Sequence, residues 1–88
     1  MKKYPKTDLV SLYPITLELH REGGYFASCP LFQGCHADGK TMGGAIDNIR
    51  DVISVHIEAR KKFHELIPSV ELPDAVKIRF TLPVPVSG

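Results

Sequence analysis

The sequence predicts one α+β domain in the order β-β-β-α-β, a mostly antiparallel sheet with one helix packed on one face. Three observations predict it. Ile15, Leu17 and Leu19 alternate with polar residues, and so do Val76, Ile78, Phe80 and Leu82; a period of two describes a strand with one buried face. Between these stretches Ala45, Ile46, Ile49, Val52, Ile53 and Ile57 recur at three- and four-residue spacing. At about 100° per residue they form one apolar stripe on a helix. The 88 residues fit a single domain, expected over 12–82 with an extended, mobile tail at 1–11 and another at 83–88.

Each element has its own local cause. After the first strand, Arg21-Glu22-Gly23-Gly24 supplies turn chemistry, because paired glycines accept positive φ. The second strand, Tyr25 to Cys29, stops at Pro30, which cannot donate to a ladder. Leu31-Phe32-Gln33-Gly34 is a loop, and Cys35-His36-Ala37 a short third strand closed by Asp38-Gly39. Thr41 is placed to cap a helix that runs from Met42 to about Lys62 and ends before Pro68. Asp47, Asp51, Ser54, Glu58, Lys61 and Glu65 fall on its wet side, where Glu58 and Lys62 make an i,i+4 pair. Arg60 lies in line with the apolar stripe, so the last turn is expected to project beyond the sheet. A Pro73-Asp74 turn precedes the fourth strand, which Pro83 and Pro85 end.

Composition narrows the function classes. Eleven basic and ten acidic residues leave a formal charge of +1, which gives no electrostatic footprint for nucleic acid or anionic membrane and favours a protein partner. No apolar run reaches the length of a membrane span. The basic start is followed by Thr7-Asp8-Leu9-Val10-Ser11, too polar for the core of a signal peptide. Cys29 and Cys35 do not make a secreted disulfide framework. A cytoplasmic protein is expected.

Candidate chemistry is sparse. Cys29, Cys35 and His36, with His20, invite a metal reading, but the spacing is not that of a zinc knuckle, and buried cysteines commonly act as small hydrophobes. Cys35 and His36 point to opposite faces of a strand, which disfavours a thiol nucleophile. His56, on the apolar helix face, is expected as a hydrogen-bonded core histidine. No cofactor, metal ligand or catalytic residue is assigned. Phe26 and Phe32 are the candidate partner-binding residues, as exposed aromatic anchors.

An ordered set of short motifs carries a family resemblance. The run Gly23-Gly24-Tyr25-Phe26-Ala27-Ser28-Cys29-Pro30, then Gly34-Cys35, Gly39-Lys40-Thr41, Ala45-Ile46-Asp47-Asn48-Ile49-Arg50 and Ile67-Pro68, resembles the HicB-like antitoxins over Tyr13 to Pro68. The chain differs from that pattern at Leu31, Gln33 and Met42-Gly43-Gly44, where two glycines weaken the first helical turn. The resemblance implies a partial RNase H-like fold and an antitoxin that binds a small basic ribonuclease, HicA, covering its catalytic histidine and RNA surface. Many relatives add a DNA-binding module after the Ile-Pro. The residues after Pro68 are needed here for the fourth strand, so direct DNA binding is not expected.

The implied fold raises the alternative of a small nuclease or hydrolase of RNase H-like descent, which would need carboxylates converging on two metal ions. The candidates are Glu18, Asp38, Asp47, Asp51 and Glu58, and the last three lie on the helix face turned away from the sheet, so no enzyme is expected. A further alternative is an orphan oligomerisation domain without a toxin. Sheet edges and an uncovered face with Leu12, Phe26, Leu31 and Phe32 favour self-association as a homodimer or a dimer of dimers.

Overall fold

The computed structural model describes residues 11–68, 70, 74–75 and 77–87. Three strands come first, β1 (Thr16–Leu19), β2 (Tyr25–Ser28) and β3 (His36–Gly39), followed by one helix, α1 (Met42–Lys62). The sheet order is β1-β2-β3 with both pairings antiparallel. The domain is therefore α+β, with the first four elements in the expected order.

The hairpin between β1 and β2 closes as the glycines require. Gly23 and Gly24 have φ of 103° and 86°, a region open to residues without a Cβ. His20 N–H donates to Gly24 O at 3.1 Å and Gly23 N–H to His20 O at 2.9 Å. β3 extends further than expected, because Asp38 and Gly39 pair with Phe26 and Tyr25 instead of closing a turn. A Cβ on Gly39 would run into the backbone of Gly44 and Ala45. The missing side chain lets α1 start directly against the strand.

Thr41 caps α1 as its position predicts: its hydroxyl accepts from Gly44 N–H at 3.0 Å. No acidic residue stands in the first turn, whereas Arg60, Lys61 and Lys62 occupy the last, where cations complement the helix dipole. The helix ends in a Schellman motif: Glu65 N–H donates to Arg60 O at 2.8 Å and His64 N–H to Lys61 O at 3.2 Å. His64 holds the left-handed position, φ 55°, usually filled by glycine.

The core lies between α1 and one face of the sheet. Ala27, Cys29, Phe32, Cys35, Ala45, Ile49 and Ile53 are buried, and Tyr13, Ile15, Leu17, Tyr25, Leu31, Ala37, Val52 and Ile57 pack around them. The apolar stripe of α1 thus faces the sheet as its spacing predicts. Arg60 departs from expectation. Its guanidinium folds back over the Phe32 ring, 5.3 Å from the centroid, and donates to Leu66 O at 3.2 Å. The last turn is thereby pinned to the core instead of projecting past it.

The fourth strand is the main correction. Among the described residues, 77–82 form no strand, and Ile78, Phe80 and Leu82 are 75%, 62% and 60% exposed. Alternation reports which face of a segment seeks burial, not whether a partner is present to supply the ladder and the cover. What the C-terminal part contributes instead is an isolated antiparallel bridge, Leu12 to Val70. The expected tail at 1–11 lies outside the described residues except for exposed Ser11, as do Pro73 of the expected turn and Val76 of the expected strand. Residues 83–87 of the expected tail at 83–88 are exposed and belong to no helix or strand.

Candidate functional site

Alternation along the strands sends successive side chains to opposite faces of the sheet. Leu17, Tyr25, Ala27 and Ala37 turn toward α1 and pack on the core. Thr16, Glu18, Phe26, Ser28, His36 and Asp38 therefore share the other face. The register sets Glu18, Phe26 and Asp38 side by side in one row, and Thr16, Ser28 and His36 in the next. Among the described residues no helix or strand covers this face.

Phe26 is its centre. The ring is half-buried, with exposed Glu18, His20, His36 and Asp38 around it. Its centroid lies 5.3 Å from that of His36 and 6.4 Å from that of His20. Both histidines sit on diagonals of the pairing, within reach of an aromatic side chain across a ladder. The surface carries an apolar ring with an imidazole on each side and a carboxylate on each neighbouring strand. Such a surface can anchor and orient a macromolecular partner through a central aromatic and a polar rim. Sequence patterning alone does not bring the two histidines to this surface. The signal was available in the two-residue steps from Glu18 to His20 and from His36 to Asp38, once the hairpin register is known.

The other candidate, Phe32, belongs to the core. It is 2% exposed, stacked on Tyr13 at 5.7 Å and on His56 at 5.1 Å between ring centroids, with Arg60 over it. Its expected exposure is overturned for a local reason. The turn between Pro30 and Gly34 folds inward, with Phe32 N–H donating to Cys29 O at 3.3 Å and Cys35 N–H to Phe32 O at 3.4 Å. Leu31, also expected on an uncovered face, is half-buried against the core. His56 lies on the apolar helix face as expected, with the Phe32 ring as its partner.

Cys29 and Cys35 are buried and unlinked, and Cys29 N–H donates to Cys35 O at 2.9 Å. Burial pushes the Cys35 thiol up, and the charge and hydrogen bond of Cys29 add to it; a thiol held protonated is a poor nucleophile. Tyr13 is likewise raised, by burial first and by Cys29 second. The carboxylates divide between two surfaces. Glu18 and Asp38 stand on the open sheet face, while Asp47, Asp51 and Glu58 are exposed on α1. Asp47 pairs with Arg50 at 3.9 Å and Glu58 with Lys61 at 3.8 Å, the latter in place of the expected Lys62. Among the described residues no group of three or more His, Cys, Asp or Glu could hold a metal ion. No helix among them is long and apolar enough to cross a membrane.

Fold and surface together define a small α+β domain whose described residues form three antiparallel strands and one helix and leave one sheet face open around the Phe26 ring. Sequence comparison gives this class a family. A UPF0150 protein of Synechocystis sp. is 40% identical over 60 residues, which cover 68% of this chain and 76% of that protein. A UPF0150 protein of Thermoplasma acidophilum is 36% identical over 56 residues, 64% of this chain and 81% of that protein. The chain belongs to the UPF0150 family. An uncharacterised 14.9 kDa protein of Haemophilus phage HP1 is 39% identical over 57 residues, of which the matched part is 42% of its length. No family model matches the sequence.

Proposed function

We propose that this chain is a HicB-like antitoxin, a protein that binds a small HicA-type mRNA-cleaving ribonuclease and occludes it with no catalysis of its own. The observation that carries this reading is the open sheet face, where Phe26 stands between His20 and His36 with Glu18 and Asp38 in its row. A ribonuclease that grips RNA must present a basic surface. An acidic rim around an apolar anchor complements such a surface in charge and offers a ring to bury. The motif series from Tyr13 to Pro68 supports the same reading. So does the division of Glu18 and Asp38 from Asp47, Asp51 and Glu58 between two surfaces, which sets no converging group among the described residues.

The test is co-expression with a short basic ribonuclease encoded beside this gene. Co-purification and relief of toxicity are expected. Phe26→Ala should weaken binding about 30-fold, as for an aromatic anchor worth ~2 kcal/mol, while Asp51→Ala on the far side leaves it unchanged. If such a neighbour neither co-purifies nor loses toxicity, the antitoxin reading fails. A second reading, an oligomerisation domain without a toxin, is favoured by the exposure of Ile78, Phe80 and Leu82, and a chain with no ribonuclease beside it would support that one.

A further inference from the structure

Cys29 and Cys35 stand opposite one another at the neck of the loop between β2 and β3. Tyr25, Phe26, Ala27 and Ser28 pair in turn with Gly39, Asp38, Ala37 and His36, so the next step of the same register sets Cys29 against Cys35. The backbone takes that step, with Cys29 N–H donating to Cys35 O at 2.9 Å. Alternation from Ala27 and Ala37 turns both cysteine side chains to the core, where they are 1% and 3% exposed. The loop they close is itself held in place. Phe32 N–H donates to Cys29 O and Cys35 N–H to Phe32 O, and Gly34 takes the left-handed position, φ 74°, that brings the chain back.

We propose that Cys29 and Cys35 are a reversible dithiol–disulfide pair, oxidised within one chain by a small-molecule disulfide of the glutathione class. A hydrogen-bonded antiparallel pair holds its Cα atoms about 5.5 Å apart, inside the ~4.4–6.8 Å over which disulfides form. The side chain of Cys29 also acts directly on the Cys35 thiol, which marks the two as neighbours. In the reaction, the thiolate of one cysteine attacks a sulfur of the oxidant, cleaves its S–S bond and releases one small thiol. The other cysteine, as thiolate, then attacks the protein sulfur of the mixed disulfide and releases the second. The chain gives up two electrons and two protons, and the oxidant becomes two thiols. Burial sets the pace and not the direction. Both thiols are shielded, so exchange passes through openings of the core and is slow. The equilibrium depends on how closely the folded chain holds the two sulfurs.

The bond would clip β2 to β3 one pair beyond Ser28 and His36, on the core side of the sheet. It leaves the Phe26 surface free and does not rest on the antitoxin reading. A crosslink that the fold favours must favour the fold in return, so the oxidised chain resists unfolding more than the reduced one. The experiment equilibrates the full chain with mixtures of reduced and oxidised glutathione, in buffer and in concentrated urea, starting from either redox state. Oxidation is read after acid quenching as the loss of two hydrogens from the mass of the intact chain. These are the chain's 2 cysteines, so a bond within one chain has one connectivity, and Cys29→Ser should abolish the loss. The effective concentration of the thiol pair should be at least about 10-fold higher in the folded chain than in urea. The midpoint of urea unfolding should rise on oxidation. An effective concentration in the folded chain equal to or below that in urea overturns the proposal. So does a disulfide formed only between chains, read as a doubled mass.

Discussion

The side-chain amide of Asn48 donates to the carbonyl oxygen of Asp38 at 2.7 Å, a bond that ties the second turn of α1 to the third strand. It fixes the angle at which the helix leaves Gly39 and therefore the registry of its apolar stripe over β2. Asn48→Ala should lower unfolding free energy by about 1 kcal/mol, the usual net worth of one such bond. Asp38→Ala should spare this bond, since the acceptor is main chain. Urea titrations of the two variants check it; equal losses would refute the role given to Asn48.

The layered core predicts a sharp contrast along one helix. Ile49 is 1% exposed and Ile53 8%, so truncating either to alanine should cost roughly 2–5 kcal/mol. Asp51, on the exposed side, should change stability by no more than about 0.5 kcal/mol when replaced by alanine. Phe32→Ala should rank with the isoleucines, at about 3–5 kcal/mol. Phe26→Ala should cost less stability, and its effect should fall on binding.

Three backbone positions near the ends of α1 carry graded expectations. A Cβ on Gly43 would meet nothing within 4 Å, so Gly43→Ala should stabilise by up to about 1 kcal/mol through helix propensity. The same change at Gly44 should gain less, because its Cβ would lie 3.1 Å from Thr41 Oγ1, the oxygen that caps the helix. His64→Gly should relieve the left-handed strain at φ 55° and stabilise by about 1 kcal/mol. Thermal midpoints of the three variants give the order.

The buried thiol gives stability a pH dependence. Burial raises the Cys35 pKa in the folded state, so the native protein holds this proton more tightly than the unfolded chain does. The contribution is complete below the unfolded thiol value, about 8.5, and is lost as pH rises through the folded one. Tyr13, also raised, acts in the same direction at higher pH. The thermal midpoint should therefore fall on the alkaline side, and Cys35→Ala should flatten the first part of that fall. A midpoint independent of pH there would contradict the assignment.

Much of this fold is written in local patterns. The helix bounds follow from Thr41 and the isoleucine spacing, and the hairpin from Gly23-Gly24, because each depends on residues within a few positions of one another. At Phe32 and residues 77–82 the structure departs from the sequence pattern, because burial and pairing depend on what lies across space. Nothing around Leu31-Phe32-Gln33 tells which way the loop folds, and alternation at Ile78 and Phe80 is silent about the supply of a neighbouring strand. The Phe26 surface was half legible. The ring was named from its strand, but its flanking histidines needed the register of two hairpins.

The inward fold of the loop between β2 and β3 bears on the kinetics of recognition. With the Phe32 ring held between Tyr13 and His56, this connection cannot swing aside without opening the core, so it is unsuited to serve as a lid. If the Phe26 face binds a ribonuclease as proposed, the encounter would require no slow rearrangement of this loop. Association should then be a single concentration-proportional phase whose rate falls with added salt as the charges of Glu18 and Asp38 are screened.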